Sequence, residues 1–283
     1  MLLLFFSATV LAQHKAEKDS TKHRQLDDVI ITTAKFNKKR KDIPQQTTSV
    51  SRQEIEFQNF QNTADLLANT GIAHVQKSQQ GGGSPAIRGF EASRILLMVD
   101  DIRMNNLIFR TGHLQNVITV DENMLENVDV FYGPSSTVFG SDALGGAINL
   151  ETKKAKFLST ANRKFSGNVN TRYGSVNEEK SVYFDLNYAA SKWATLTAFS
   201  FNDFGDLKMG KKKNPHGDYF GERNQYITTE NGTDVLVPNN DKYLLKFTAY
   251  KQYNFMQKVS YKQENGALHG LNLQFSTTND IPR

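Results

Sequence analysis

The chain contains no cysteine. That excludes a disulfide framework and thiolate metal sites, and leaves the redox compartment to be judged from other features. No apolar run approaches the roughly twenty residues of a membrane-spanning helix, so a chain like this crosses a membrane only as a β-barrel. No long stretch carries a single charge sign. The 34 basic residues face 29 acidic ones, and the net charge of +5 reads as general solubility rather than a nucleic-acid groove. Signs of catalysis are missing too: there are no paired catalytic carboxylates, nucleophile elbow or triad. His14, His23, His74, His216 and His269 show no metal-ligand spacing with one another. The glycine run "QQGGGSP", Gln79 to Pro85, lacks the Gly-Lys-Ser/Thr that reaches phosphate and magnesium, which argues against nucleotide binding.

What is present begins with "MLLLFFSATVLAQ", a short apolar stretch ending in the small residue Ala12, as in a secretory signal peptide over residues 1–12. No Lys or Arg precedes it, so the true start lies upstream or the signal is a weak one. With 283 residues, 38% of them hydrophobic, the chain has material for one or two domains.

Two halves differ in periodicity. From about Ser51 to Thr152, short helix and strand signals alternate. Ser51 followed by Glu54 is a capping box, and Asn62 is an N-cap for a helix over Thr63 to Ala68. "RILLMVD" is a strand covered on both faces, and "NVDVFYG" and "GAINLET" are further strands. This half predicts a small α+β domain.

After about Lys164 long alternating segments take over, near residues 165–174, 180–190, 193–204, 252–263 and 268–278. Phe184, Leu186 and Tyr188 alternate with Asp185 and Asn187, which fits either a soluble antiparallel sheet or a transmembrane barrel. The insert from about 205 to 251 reads as an extracellular loop. Five strands do not close, and the exposed edge they leave predicts an N-terminal piece of a longer protein.

Three segments carry a resemblance to the TonB-dependent outer-membrane receptors. "SPAIRGF" followed by "ILLMVDDIRMN" resembles the family's plug segment, "VDVFYGPSSTVFGSDALGGAINLETK" resembles the plug's C-terminal signature, and "LDDVIITTAKF" is similar to a TonB box. Two positions depart from the pattern: Asp101 replaces the glycine of Val-Asp-Gly, and Tyr132 replaces the arginine before Gly-Pro.

The resemblance implies an α+β plug domain (44–155) followed by antiparallel transmembrane β-barrel strands (156–283), about five of an expected 22 or so, preceded by a periplasmic segment (13–43). It implies that Asp28, Val29, Ile30, Ile31 and Thr32 pair with TonB, and that Lys38 to Lys41 form a solvated hinge. Arg88, Gly89, Gly133, Pro134, Gly140, Gly145 and Gly146 are plug structural positions, with Arg88 expected to pair with an acid. Gln79, Gln80, Asn105, Asn106, Arg110 and His113 fall on apex loops that would face a ligand. The implied job is uptake of an iron chelate or haem, with cobalamin or another metal chelate as the alternative; a non-transporting adhesin barrel is the competitor from another class. The lead-in is too short for a periplasmic signalling domain. The implied partners are TonB, outer-membrane lipid and the small metal chelate. No permanently bound cofactor, protein-bound metal or nucleic acid is expected.

Overall fold

The computed structural model describes residues 45–77, 80–91, 94–104, 116–159, 163–212, 216 and 221–279, with the backbone pairs 32–33 and 36–37. Thr32–Thr33 and Phe36–Asn37 pair antiparallel, Thr32 opposite Asn37. The strand-forming run Leu26–Phe36, which looks unpartnered in sequence, thus has a partner in its own chain at its C-terminal end. Asp28, Val29, Ile30 and Ile31 lie outside the described residues.

The first domain opens with β1 (Thr47–Ser51) and α1 (Arg52–Gln58). Ser51 Oγ accepts the Glu54 N–H at 3.4 Å and starts the helix; Asn59, at φ 48°, ends it in the left-handed conformation an asparagine tolerates. Asn62 Oδ1 accepts the Asp65 N–H at 2.9 Å and starts α2 (Thr63–Asn69). A small sheet follows, from β2 (His74–Gln76), β3 (Ser84–Ile87) and β4 (Phe90–Glu91). Then come β5 (Ile95–Val99), β6 (Ile102–Arg103), β7 (Leu125–Tyr132) and β8 (Gly146–Thr152). With β1 these make a five-stranded sheet in the order β1-β7-β8-β5-β6, in which β8 runs parallel to β5. One face packs Val50, Val128, Val130, Ile148 and Leu150 against helix residues such as Leu66 and Leu67. Burying large aliphatic side chains of this kind is worth about 1.5–3 kcal/mol each before chain entropy is subtracted, so this face holds the domain together.

Five long strands form the second half: β9 (Lys164–Gly174), β10 (Glu179–Ala189), β11 (Trp193–Phe204) and, beyond the insert, β14 (Tyr250–Lys262) and β15 (Leu268–Thr278). All neighbours are antiparallel, in the order β9-β10-β11-β14-β15. The insert is more ordered than a plain loop: it carries a hairpin of β12 (Gln225–Glu230) and β13 (Thr233–Pro238), turned by Asn231 and Gly232 at φ 50° and 79°.

Register decides which way this wall faces. Val182, Phe184 and Leu186 on β10, Phe255 on β14, and Leu271, Leu273 and Phe275 on β15 are exposed. The alternate positions Ser181, Asp185, Asn187, Asn202, Gln252 and Asn254 are buried against the first domain. A soluble sheet puts its apolar side on the core; here the apolar side faces outward, as in a barrel embedded in lipid. Aromatic pairs mark the ends of the band: Trp193 with Tyr261 at 4.5 Å between centroids, and Phe201 with Tyr253 at 4.9 Å. The insert and the β9–β10 turn lie at one end and the short β10–β11 and β14–β15 turns at the other, and in outer-membrane barrels the end with the long loops is the extracellular one.

Candidate functional site

The first domain meets the wall through polar side chains. On β9, Arg172 uses all five guanidinium donors: to Glu179 Oε1 (2.7 Å), Glu122 Oε1 (3.2 Å), the Phe60 carbonyl (2.6 Å), the Gln61 carbonyl (3.1 Å) and Asn59 Oδ1 (3.2 Å). Four of those acceptors belong to the first domain or its short 3-10 turn, so one wall residue grips two loops. Asp121 Oδ2 accepts from Asn202 Nδ2 at 3.0 Å, and Gln252 Nε2 donates to the Ile118 carbonyl at 2.6 Å. Glu122 is held well above the usual carboxylate range, first by burial and then by Asp121, while Arg172 opposes the rise.

Nearer the other end, Lys153 donates to Asp185 Oδ2 (2.8 Å) and Tyr183 Oη (3.0 Å). Burial pulls its ammonium below the usual lysine range, with Asp185 resisting. Asp100, in the turn between β5 and β6, receives the Thr152 amide at 2.8 Å and hydroxyl at 2.7 Å. Its Oδ2 also takes Lys258 Nζ (2.9 Å), Asn272 Nδ2 (2.7 Å) and Gln274 Nε2 (3.2 Å) from the wall. A modest apolar cluster of Met124, Tyr183, Leu196, Ala198 and Met256 lies between these polar ties. Beside them α1 and β9 leave a polar hollow of about 440 Å³ between Arg52, Asn59, Asn168, Asn170 and Asp185.

Both departures from the family pattern acquire a physical account. Asp100 and Asp101 stand at φ 50° and 65°, a conformation a glycine would take freely. Asp101 is held there by Asn149, whose Oδ1 accepts its amide at 3.1 Å and whose Nδ2 donates to its carboxylate at 3.0 Å. Tyr132 donates its hydroxyl to the Ile72 carbonyl at 2.9 Å and lays its ring under Arg88, 5.4 Å from centroid to guanidinium carbon. Among the described residues Arg88 has no acidic partner; its other partner is Gln46 Oε1 at 2.5 Å.

The expected glycine positions sit where backbones crowd. Gly89, Gly133 and Gly140 have positive φ, and a side chain on Gly145 would strike the Phe90 ring and Cβ. Gly146 opens β8 beside the Phe131 carbonyl, and the Pro134 carbonyl accepts Gln45 Nε2 at 3.2 Å. Among the expected apex residues, Gln80 is buried, and neither of its amide atoms has a hydrogen-bond partner among the described residues. Gln79, Asn105, Asn106, Arg110 and His113 lie outside the described residues. Sequence reading missed the wall side of the contact: Arg172, Asp185 and Lys258. The signal was there, because charged residues on the polar side of a lipid-crossing strand must point at the interior.

A folded α+β domain seated on the polar inner face of a lipid-facing antiparallel sheet is the architecture of a plugged outer-membrane barrel. Residues 39–147 match the family model described as TonB-dependent Receptor Plug Domain. The vitamin B12 transporter BtuB of Vibrio vulnificus (strain CMCP6) is 29% identical over 174 residues, covering 60% of this chain and 27% of the relative. An iron-regulated outer membrane virulence protein of Vibrio cholerae (strain O395) is 27% identical over 188 residues, covering 64% and 27%. Among solved structures, the Serratia marcescens hemophore receptor HasR, in complex with its hemophore HasA and heme, superposes with a TM-score of 0.65 at 20% identity, over 84% of this chain and 32% of that one. The chain spans about a quarter to a third of these relatives' lengths. Residues 39–147 thus match a TonB-dependent receptor plug domain, and the antiparallel strands that follow them share the barrel fold of these solved structures.

Proposed function

We propose that the protein works as a TonB-dependent receptor for energy-coupled import of a metal chelate, a ferric siderophore or haem before cobalamin. The observation that carries this reading is the polar seam. Hydrogen bonds and ion pairs exchange with water at small net cost, about 0.5–1.5 kcal/mol for an ordinary bond, so a plug held this way can be displaced without unfolding the wall. An apolar seam would have to expose its whole area at once. Asp28 to Thr32 would add as a strand to TonB's sheet, main-chain bonds giving affinity and alternate side chains selectivity. Residues 44–155 then form the plug and 156–283 the part of the wall that carries the seam. The apex segments of the plug, at Gln79, Asn105–Asn106, Arg110 and His113, would meet the ligand, with Gln80 buried behind them.

The relatives favour a scarce metal-bearing cargo, since one is named a vitamin B12 transporter, one is iron-regulated and one is a hemophore receptor solved with heme. The test is uptake of radiolabelled ferric siderophore, haem and cobalamin by cells carrying the receptor, with and without Ile30→Pro. Proline removes a strand donor. Loss of uptake with binding intact is expected; unchanged uptake would sink the assignment of the TonB-binding strand.

A further inference from the structure

The outward face of the wall ends differently at its two borders. At the short-turn end Trp193 on β11 stands opposite Tyr261 on β14, and Tyr261 stands opposite His269 on β15, so this border is a row of rings. At the insert end the outward positions Tyr173, Lys180, Asp203 and Lys251 make one row, each opposite the next across β9, β10, β11 and β14. Between the two borders every outward position among the described residues of the five strands is uncharged. Asp203 and Trp193 lie about ten residues apart on one strand, which at about 3.3 Å per residue and a tilt of about 40° is roughly 25 Å of height. That is the height of the apolar band of an outer-membrane barrel. The charged row therefore sits where acyl chains end and headgroups begin.

The charges in this row are ordered. Lys251 Nζ meets Asp203 Oδ2 at 2.9 Å. In the turn above, Glu178 takes Lys208 Nζ at 2.5 Å, and its carboxyl is held below the usual range by Lys208 first and by Lys180 as well. Lys180 is exposed, stands opposite Asp203, and has no ion-pair partner of its own among the described residues. Three lysines thus share two carboxylates, which leaves one ammonium in excess on the lipid side of the rim. Lys180 and Lys251 lie two strand spacings apart, about 10 Å, so a headgroup carrying two anionic groups can meet both. Tyr173, 67% exposed, stands next to Lys180 with its ring turned outward.

We propose that Lys180 and Lys251 bind the phosphates of a phosphorylated glycolipid in the leaflet at the insert end, with Tyr173 against its sugar. Asp203 lies between the two lysines and keeps them in one row. Ammonium-to-phosphate hydrogen bonds are charge-assisted, and here they form without moving the acyl chains off the uncharged rows below. The opposite border has no such excess: Lys192, in the β10–β11 turn, is matched by Glu264 at 2.7 Å. The inference rests on the lipid-facing reading of the wall and not on the import reading.

The test uses the full-length receptor in a non-ionic detergent, titrated with diphosphorylated lipid A and with the same lipid stripped of its phosphates, bound lipid being counted by native mass spectrometry. The phosphorylated lipid should bind about tenfold more tightly. Lys180→Gln combined with Lys251→Gln should abolish that preference, the corresponding pair of Arg substitutions should keep it, and Lys192→Gln should leave it unchanged. Inorganic phosphate at millimolar concentration should not displace the lipid. Equal affinity for the two lipids, or a preference that survives in the double Gln variant, overturns the proposal; displacement by inorganic phosphate overturns the lipid assignment. Neither TonB nor cargo enters this measurement, so its outcome is separate from that of the Ile30→Pro uptake test.

Discussion

Asp101 and Asn149 exchange two hydrogen bonds across the end of the parallel pair β5 and β8, one to the Asp101 amide and one to its carboxylate. They come from two separate signature segments, and their contact explains how an aspartate stands where the family pattern has glycine. Asn149→Ala leaves the amide and carboxylate without these partners and should destabilise the plug by about 1–3 kcal/mol. Asp101→Gly relieves the left-handed backbone while losing the same bonds, so its change should stay within about 1 kcal/mol. Denaturant melts of the two variants check the order.

Gly145 gives a second test. Gly145→Ala puts a methyl group into Phe90, and overpacking of this kind costs about 1–3 kcal/mol. Trimming the neighbour with Phe90→Ala should recover part of that loss in the double variant, although it costs stability alone. Thermal melts of the three variants decide; equal additive losses would mean that the crowding lies elsewhere.

Glu122 sets the response of the seam to acid. Its folded carboxyl lies well above its ordinary 4.5, so its contribution to seating is present below that value and is lost as pH rises through the raised one. Glu122→Gln mimics the neutral form and keeps an acceptor for Arg172 and Asn123. The variant should seat at least as firmly as the parent at pH 7 and show a flatter pH dependence. Amide exchange over residues 117–124, followed against pH, reads this. Removing the guanidinium by Arg172→Leu should instead loosen the same amides at pH 7, by about 3–5 kcal/mol, because the buried Glu179 loses its cation and Glu122 and the Phe60 and Gln61 carbonyls lose a donor.

The two faces of β10 respond differently to substitution. Phe184→Arg places a charge toward lipid and should weaken folding in bilayers by about 2–4 kcal/mol. Asn187→Ser, on the inward side of the same strand, should leave insertion unchanged and disturb only the Lys156 amide that Asn187 receives at 3.0 Å. Folding yield into liposomes separates the two.

The strands of the wall were legible because period-two alternation survives whichever face is buried: the expected 193–204 and 268–278 match the observed spans, and the others differ by at most two residues. Alternation does not say which face is wet, and that came only from the contact with the plug. The helix starts at Ser51 and Asn62 were legible because a cap is a local bond. The described partners of Arg88, Gln46 and Tyr132, were not legible because they stand 42 and 44 residues away in sequence and neither is an acid. The Asp100 tie to Lys258 spans still more of the chain, and no local pattern encodes such a pair. Gln80 looked like a surface glutamine in a glycine loop; the fold buries it.

The polarity of the seam also bears on biogenesis. The plug turns Asp100, Asp121, Glu122 and Lys153 toward the wall. Apart from Met124 and Ala155, a plug with that coat turns little apolar surface to the wall, so it exposes few apolar groups to water before the strands close around it. The same wall, emptied, would present Asp185, Asn202, Gln252 and Lys258 to its interior, and water would flood the space instead of the strands collapsing on it. In a closed barrel of this kind, losing the plug would leave a wide wet hole, and that hazard is a reason to hold the plug with many small ties instead of a single strong one.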